Sequence, residues 1–137
     1  MLTKESNSNE TSYFKRLYGG RLNRRNFITG LILIFVIFYV SLFAIGFVLG
    51  LTGMHNDSIS GILYLISFIF LIIFGFSIAI RRLHDMGYSG WYTIACYIPL
   101  IGFIFSLMMI FQEGKKEKNK YGDIAEPKIN FSKIFGM

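Results

Sequence analysis

Polar and apolar positions along this chain are sorted into long blocks. Residues 26–56, 58–80 and 86–112 contain no charged side chain. A helix that crosses a hydrocarbon core roughly 30 Å thick needs about 20 apolar residues, and each block is long enough. The pattern predicts spans over about residues 27–52, 59–80 and 91–111. The expected fold class is an all-α integral membrane protein with three apolar helical segments, the third kinked or re-entrant at Pro99–Gly102.

The polar stretches predict how the spans are joined. Residues 1–12 form a polar N-terminus expected to be disordered, 13–123 the membrane domain, and 124–137 a polar tail. Tyr13, Phe14, Leu17 and Tyr18 surround Lys15 and Arg16, the pattern of a short N-terminal interfacial helix that Gly19-Gly20 ends. The loop from Gly53 to Ser58 is short, so the first two spans should form an antiparallel hairpin, with Ser58 capping the second. Gly87 is placed to stop that helix and Ser89 to start the next segment. Trp91 and Tyr92 then stand where interfacial anchors belong. Pro99 and Gly102 allow two forms of the third segment. A kinked crossing is the expected one, because proline is tolerated in membrane helices. A dip and return is the alternative, and backbone freed at its turn would have to be buried or line a wet cavity. The first apolar run is too long for a signal core of about 7–15 residues, so it reads as a retained anchor.

Composition narrows the class further. Hydrophobic residues make up 53% of the chain, charged ones only 16%, and the mean hydropathy is +0.51. A soluble domain carries about 25% charged residues. A soluble enzyme, a disulfide scaffold and a disordered chain are all excluded as readings. The net charge of +6 does not point to nucleic acid, because the basic residues flank the apolar blocks as anchors to anionic headgroups do. Cys96 is the only cysteine, and His55 and His84 fall on opposite sides of the expected membrane. No metal site and no cofactor is therefore expected.

Lysine and arginine bias sets orientation. Lys4, Lys15, Arg16, Arg21, Arg24 and Arg25 precede the first span, and Arg81 and Arg82 follow the second. This places the N-terminus in the cytoplasm. The tail conflicts with a third crossing, which would leave Lys115, Lys116, Lys118, Lys120, Lys128 and Lys133 outside. A dip and return removes the conflict.

Small-xxx-small pairs let helices approach closely. Gly46 and Gly50, Gly75 and Ala79, and Gly102 and Ser106 are the candidates for helix packing, and a homo-oligomer is expected from them. The candidate chemistry lies in residues 81–91. On a continuing helix Arg81, His84 and Asp85 share a face, and Arg82 meets Asp85. Arginines at a cytoplasmic helix end also serve simply as anchors. A guanidinium pair at headgroup depth is nevertheless suited to a lipid phosphate or another anion. Arg21, Arg24, Arg25, Arg81, Arg82, His84 and Asp85 form the candidate site. No nucleophile is paired with a base, so no catalytic residue is assigned.

Four stretches together resemble a known family. They are Gly20-Arg21-Leu22-Asn23-Arg24-Arg25-Asn26-Phe27, the run from Arg81-Arg82-Leu83-His84-Asp85 through Ser89-Gly90-Trp91, Ile98-Pro99-Leu100-Ile101-Gly102, and Asn119-Lys120-Tyr121-Gly122. In order and spacing they resemble the bacterial membrane family called domain of unknown function 805, over residues 13–123. Lys120 departs from the arginine usual in that family, and Lys115 and Lys116 stand where glycine and proline are frequent. The resemblance implies a small, multi-pass protein of the bacterial inner membrane with no assigned activity. It carries over Arg21, Arg25, Arg81, Arg82, His84, Asp85, Ser89, Gly90 and Trp91 as matching positions.

The function expected from these observations is a non-enzymatic module. Its basic cytoplasmic face would bind anionic lipid headgroups or a partner membrane protein. The rival is an oligomeric channel or transporter subunit whose Pro99–Gly102 break lines the path. A lipid-directed enzyme is the third reading, resting on one histidine–aspartate pair.

Overall fold

The computed structural model describes residues 17–53, 57–126 and 128–135. Residues 1–16, including Tyr13 and Phe14 of the expected interfacial helix, lie outside them, as does His55. The regular elements among the described residues are all helices, with no strand. Helix α1 spans Arg24–Thr52 and α2 spans Asp57–Met86. A 3₁₀ helix, Gly90–Tyr97, leads into α3, Pro99–Phe111, and a short α4 covers Phe131–Phe135.

The boundaries follow from local chemistry. Asn23 stands in extended backbone before α1, and its side chain accepts a 2.7 Å hydrogen bond from the Asn26 amide. That satisfies one of the amides a helix start leaves without a partner. Helix α2 starts at Asp57, one residue before Ser58. At the far end α2 runs on through Arg81–Met86 and stops where Gly87 takes a left-handed φ of 86°. Only glycine adopts that conformation without strain, so Gly87 ends the helix as its position suggested.

Helices α1 and α2 pack antiparallel, and both are long and apolar enough to cross a membrane. Only 6% of the most apolar window of α1 and 11% of that of α2 is buried. A core helix of a soluble domain would bury most of such a window, because apolar area in water costs about 25 cal/mol per Å². The small-residue pairs on these helices do not meet. A Cβ on Gly50 or Gly75 would touch nothing within 4 Å, while one on Gly46 would stand 3.7 Å from the Tyr64 hydroxyl.

The third apolar segment turns back instead of continuing as a rod. Residue Ile98 is extended, as the residue before a proline tends to be, and Pro99 opens α3. Gly102 then passes so close to Cys96 that a Cβ would overlap the Cys96 carbonyl. Stacking of Phe76 on Tyr97 and of Tyr92 on Phe105 holds the two arms against α2 and each other. The segment starts beside Ile80 and His84 and ends with the Met109 carbonyl on Arg82. Both of its ends therefore lie at the same end of the helix pair.

The tail also returns to that end. Asn26 donates to the Lys128 carbonyl at 3.0 Å and accepts from the Asn130 amide at 2.9 Å. Ile134 of α4 is 1% exposed and wedges between Gly30 of α1 and Ile78 of α2. Phe135 meets Phe74 edge to face. The buried core (Leu22, Phe27, Ile34, Ile78, Leu83, Met86, Met109, Ile134) is confined to this half of the molecule.

Candidate functional site

The site is built where α1 begins, α2 ends and the tail crosses. The backbone amide of Leu22 donates to the Arg81 carbonyl at 3.0 Å, which docks the segment before α1 on the end of α2. This brings Arg21 to Asp85. Arg21 Nε donates to Asp85 Oδ1 at 3.0 Å, and Arg82 Nη1 to Asp85 Oδ2 at 2.7 Å. One carboxylate thus sits between two guanidinium groups, all three nearly sealed from solvent. Burial pushes the Asp85 carboxyl up, and the two guanidiniums oppose that shift. The pairing of Arg82 with Asp85 is the one its spacing suggests. Arg21 comes from 64 residues away.

Further guanidinium donors go to backbone carbonyls, although the buried Arg81 Nε has no partner among the described residues. Arg82 Nε bonds the Met109 carbonyl at 2.9 Å and Arg82 Nη2 bonds that of Gln112. These carbonyls belong to the end of α3, where a helix leaves its last acceptors without partners. Arg82 therefore caps the returning arm and complements its dipole. Arg21 reaches the carbonyls of Lys115 and Glu117. Arg81 turns away from Asp85 and bonds the carbonyls of Lys133 and Ile134, closing α4. A face shared by Arg81, His84 and Asp85 does not become a contact, because α4 occupies the space beside Arg81. The Lys115 amide bonds the Asp85 carbonyl at 2.9 Å, and a Cβ on Gly114 would overlap the Asp85 carboxylate.

His84 belongs to a separate group. Its Nδ1 is 3.3 Å from the Gly20 carbonyl, and its ring stacks on Tyr121 at 3.7 Å with planes 9° apart. Asn119 holds the turn in place by donating to the His84 carbonyl at 2.9 Å. Burial lowers the His84 pKa, the Gly20 carbonyl raises it and Lys120 lowers it again, with a net downward direction. His84 and Asp85 are adjacent in sequence but take up different partners.

Arg24 and Arg25 differ from the buried arginines in being exposed. With Lys115 and Lys116 they rim a cavity of about 300 Å³, with Asn23 and Glu113 also on its wall. Trp91 and Tyr92 are exposed at the start of the 3₁₀ helix. Asn23, Asn26 and Asn119 stand in the stretches that carry the family resemblance, but the sequence assigns no role to them or to Asn130. Asn26 carried a signal: an amide just inside an apolar run must find partners or lose about 1–3 kcal/mol.

These features define an all-helical protein with two bilayer-length apolar helices and one polar end clamped by buried arginines. The chain belongs to the DUF805 family, described as protein of unknown function, whose profile matches residues 17–123. No curated protein and no solved structure matches it.

Proposed function

We propose that this protein is a two-span membrane protein that binds anionic phosphate headgroups on its basic face without catalysing a reaction. In this reading α1 and α2 cross the bilayer, and the third segment enters and leaves on the basic side. The support is the bare apolar surface of both helices, with Phe43 and Leu51 of α1 and Ile62 and Ile66 of α2 all exposed. The arms of the third segment contain eight and thirteen residues. That is about 16 Å of 3₁₀ helix and about 20 Å of α-helix, each reaching near mid-membrane. Every described lysine and arginine then lies at one end, which bacterial inner-membrane topology would place in the cytoplasm.

The observation that carries the binding role is the division among the basic residues. Arg21, Arg81 and Arg82 are buried and committed to carbonyls and Asp85. Arg24, Arg25, Lys115 and Lys116 are exposed around an open cavity of headgroup size beside the start of α1. Its wall also carries Asp85 and Glu113, the latter 3.2 Å from Lys116, while Arg24 reaches the Phe111 carbonyl at 3.4 Å. A phosphate there would meet both basic side chains and a positive helix end. The binding group of the expected site is thereby narrowed to Arg24 and Arg25 and extended to the two lysines.

Native mass spectrometry of the full chain tests this with phosphatidylglycerol and phosphatidylcholine. The anionic lipid should be retained preferentially, and less so as salt rises. The Arg24→Gln/Arg25→Gln variant should lose about tenfold or more in retention, from roughly 1 kcal/mol per basic residue. Equal retention of both lipids by wild type, or an unchanged preference in the folded variant, would refute the role.

A further inference from the structure

A second cavity, of about 420 Å³, lies between α2, the 3₁₀ helix and the turn around Tyr121. Its chemistry differs from that of the basic face. Phe76, Ile80, Trp91 and Ile94 give it apolar walls, and no lysine, arginine, aspartate or glutamate lines it among the described residues. Its polar groups include His84, Ser89 and Thr93. Its described lining offers hydroxyls and an imidazole rather than charges, so the cavity suits a largely apolar molecule with a polar group.

His84 determines what polar group such a molecule should carry. Nδ1 faces the Gly20 carbonyl at 3.3 Å, and a carbonyl only accepts, so Nδ1 holds the proton. In the neutral ring Nε2 is then a bare acceptor. That nitrogen faces Gly90 on the cavity wall, where a Cβ would stand 3.3 Å from it and 2.9 Å from Ile80 Cγ2. The stack on Tyr121 fixes the ring in this pose. An acceptor-only ligand, such as a ketone or a fatty-acid carboxylate, would face a lone pair. A hydroxyl would complete a hydrogen bond.

Thr93 supplies an independent observation. It lines the same cavity and is 2% exposed, and its hydroxyl has no hydrogen-bond partner among the described residues. A buried hydroxyl without a partner is uncommon in a native fold and calls for an explanation.

We propose that this cavity binds a membrane-dissolved lipid alcohol, its hydroxyl donating to His84 Nε2 and accepting from Thr93, its apolar body lying along Phe76, Ile80 and Ile94. An isoprenoid alcohol and a long-chain hydroquinone share this chemistry. Trp91, the only tryptophan of the chain, stands on the cavity wall and reports its occupancy.

The test is titration of the purified full chain in lipid nanodiscs, following Trp91 fluorescence, with farnesol, farnesyl methyl ether and anaerobic decylhydroquinone. A saturable change with farnesol or the hydroquinone is expected, and whichever binds more tightly identifies a chain or a ring as the preferred body. The ether partitions into lipid as farnesol does but has no proton to donate, and it should bind about tenfold more weakly. Thr93→Val should weaken alcohol binding several-fold while melting no lower than wild type, since it removes a hydroxyl with no partner. His84→Phe should cost about tenfold in the same titration. Absence of a saturable response to both alcohols overturns the proposal. So does equal binding of alcohol and ether, or unchanged binding by a folded Thr93→Val or His84→Phe variant. None of these readouts depends on the anionic lipid preference, so either reading can fail alone.

Discussion

The arginines of this protein act as backbone clamps as much as charges. A guanidinium presents five donors in a planar fork, and Arg82 distributes them over Asp85 and the end of α3. Removing the carboxylate between two buried cations should therefore be severe. Asp85→Asn is expected to cost about 3–5 kcal/mol, because it leaves Arg21 and Arg82 buried beside a neutral amide. The exposed Arg24→Gln should stay within about 0.5 kcal/mol of wild type. Unfolding by denaturant in detergent micelles compares them, and equal loss in both would contradict the clamp. His84 gives a second residue-scale prediction. Its folded pKa lies below the ordinary 6.5, so the unfolded chain takes up the proton first. Its contribution to stability is complete above about pH 6.5 and is lost as pH falls below that value. Thermal melts at stepped pH should show this fall in wild type and a smaller one in His84→Phe. The Arg82–Asp85 contact was legible from i, i+3 spacing. Arg21 was legible only as a flanking charge, since nothing local reveals a partner 64 residues on.

Elements show the same division between local and distant causes. Both long helices follow from uninterrupted apolar runs. The last turn of α2 reads as a polar connection, yet it is helical because Arg82 and Asp85 bond across one turn and Gly87 stops it only afterwards. The break of the third segment is written in Pro99 and Gly102, but its direction depends on contacts that periodicity does not encode. Gly102 permits the return by lying against the Cys96 carbonyl. Gly102→Ala must push the arms apart at backbone that cannot give way, so a loss of about 1–3 kcal/mol is expected, as for overpacking elsewhere. Gly50→Ala, at a position open to the surroundings, serves as the control and should change little. Limited proteolysis after α3 should be faster in Gly102→Ala alone. The tail is the element least legible in sequence. Its docking relies on Asn26, which donates to the Lys128 carbonyl and accepts from the Asn130 amide about 100 residues away, and a short polar stretch gives no periodic sign of these bonds.

At the scale of the whole molecule, the arrangement answers a problem of charge. Six lysines follow the third apolar segment, and a third crossing would carry them to the side opposite Arg24 and Arg25. In the proposed topology the return of that segment keeps them on one side, and carbonyl clamps by Arg81 and Arg82 secure the two elements that come back. Such a return leaves polar backbone at its turn, which lipid does not tolerate unless protein covers it. Packing of the 3₁₀ helix on α2 and α3 supplies part of that cover. Topology is therefore the decisive whole-molecule measurement. In a Cys96→Ala background, single cysteines replacing Lys116 and Lys133 should be inaccessible to an impermeant maleimide in intact bacterial cells and become labelled after the membrane is opened. A cysteine replacing Asn56, between the two long helices, should label in intact cells. Labelling of Lys116→Cys from outside would mean that the third segment crosses, would separate the lysines from Arg24 and Arg25, and would dismantle the headgroup site along with the topology.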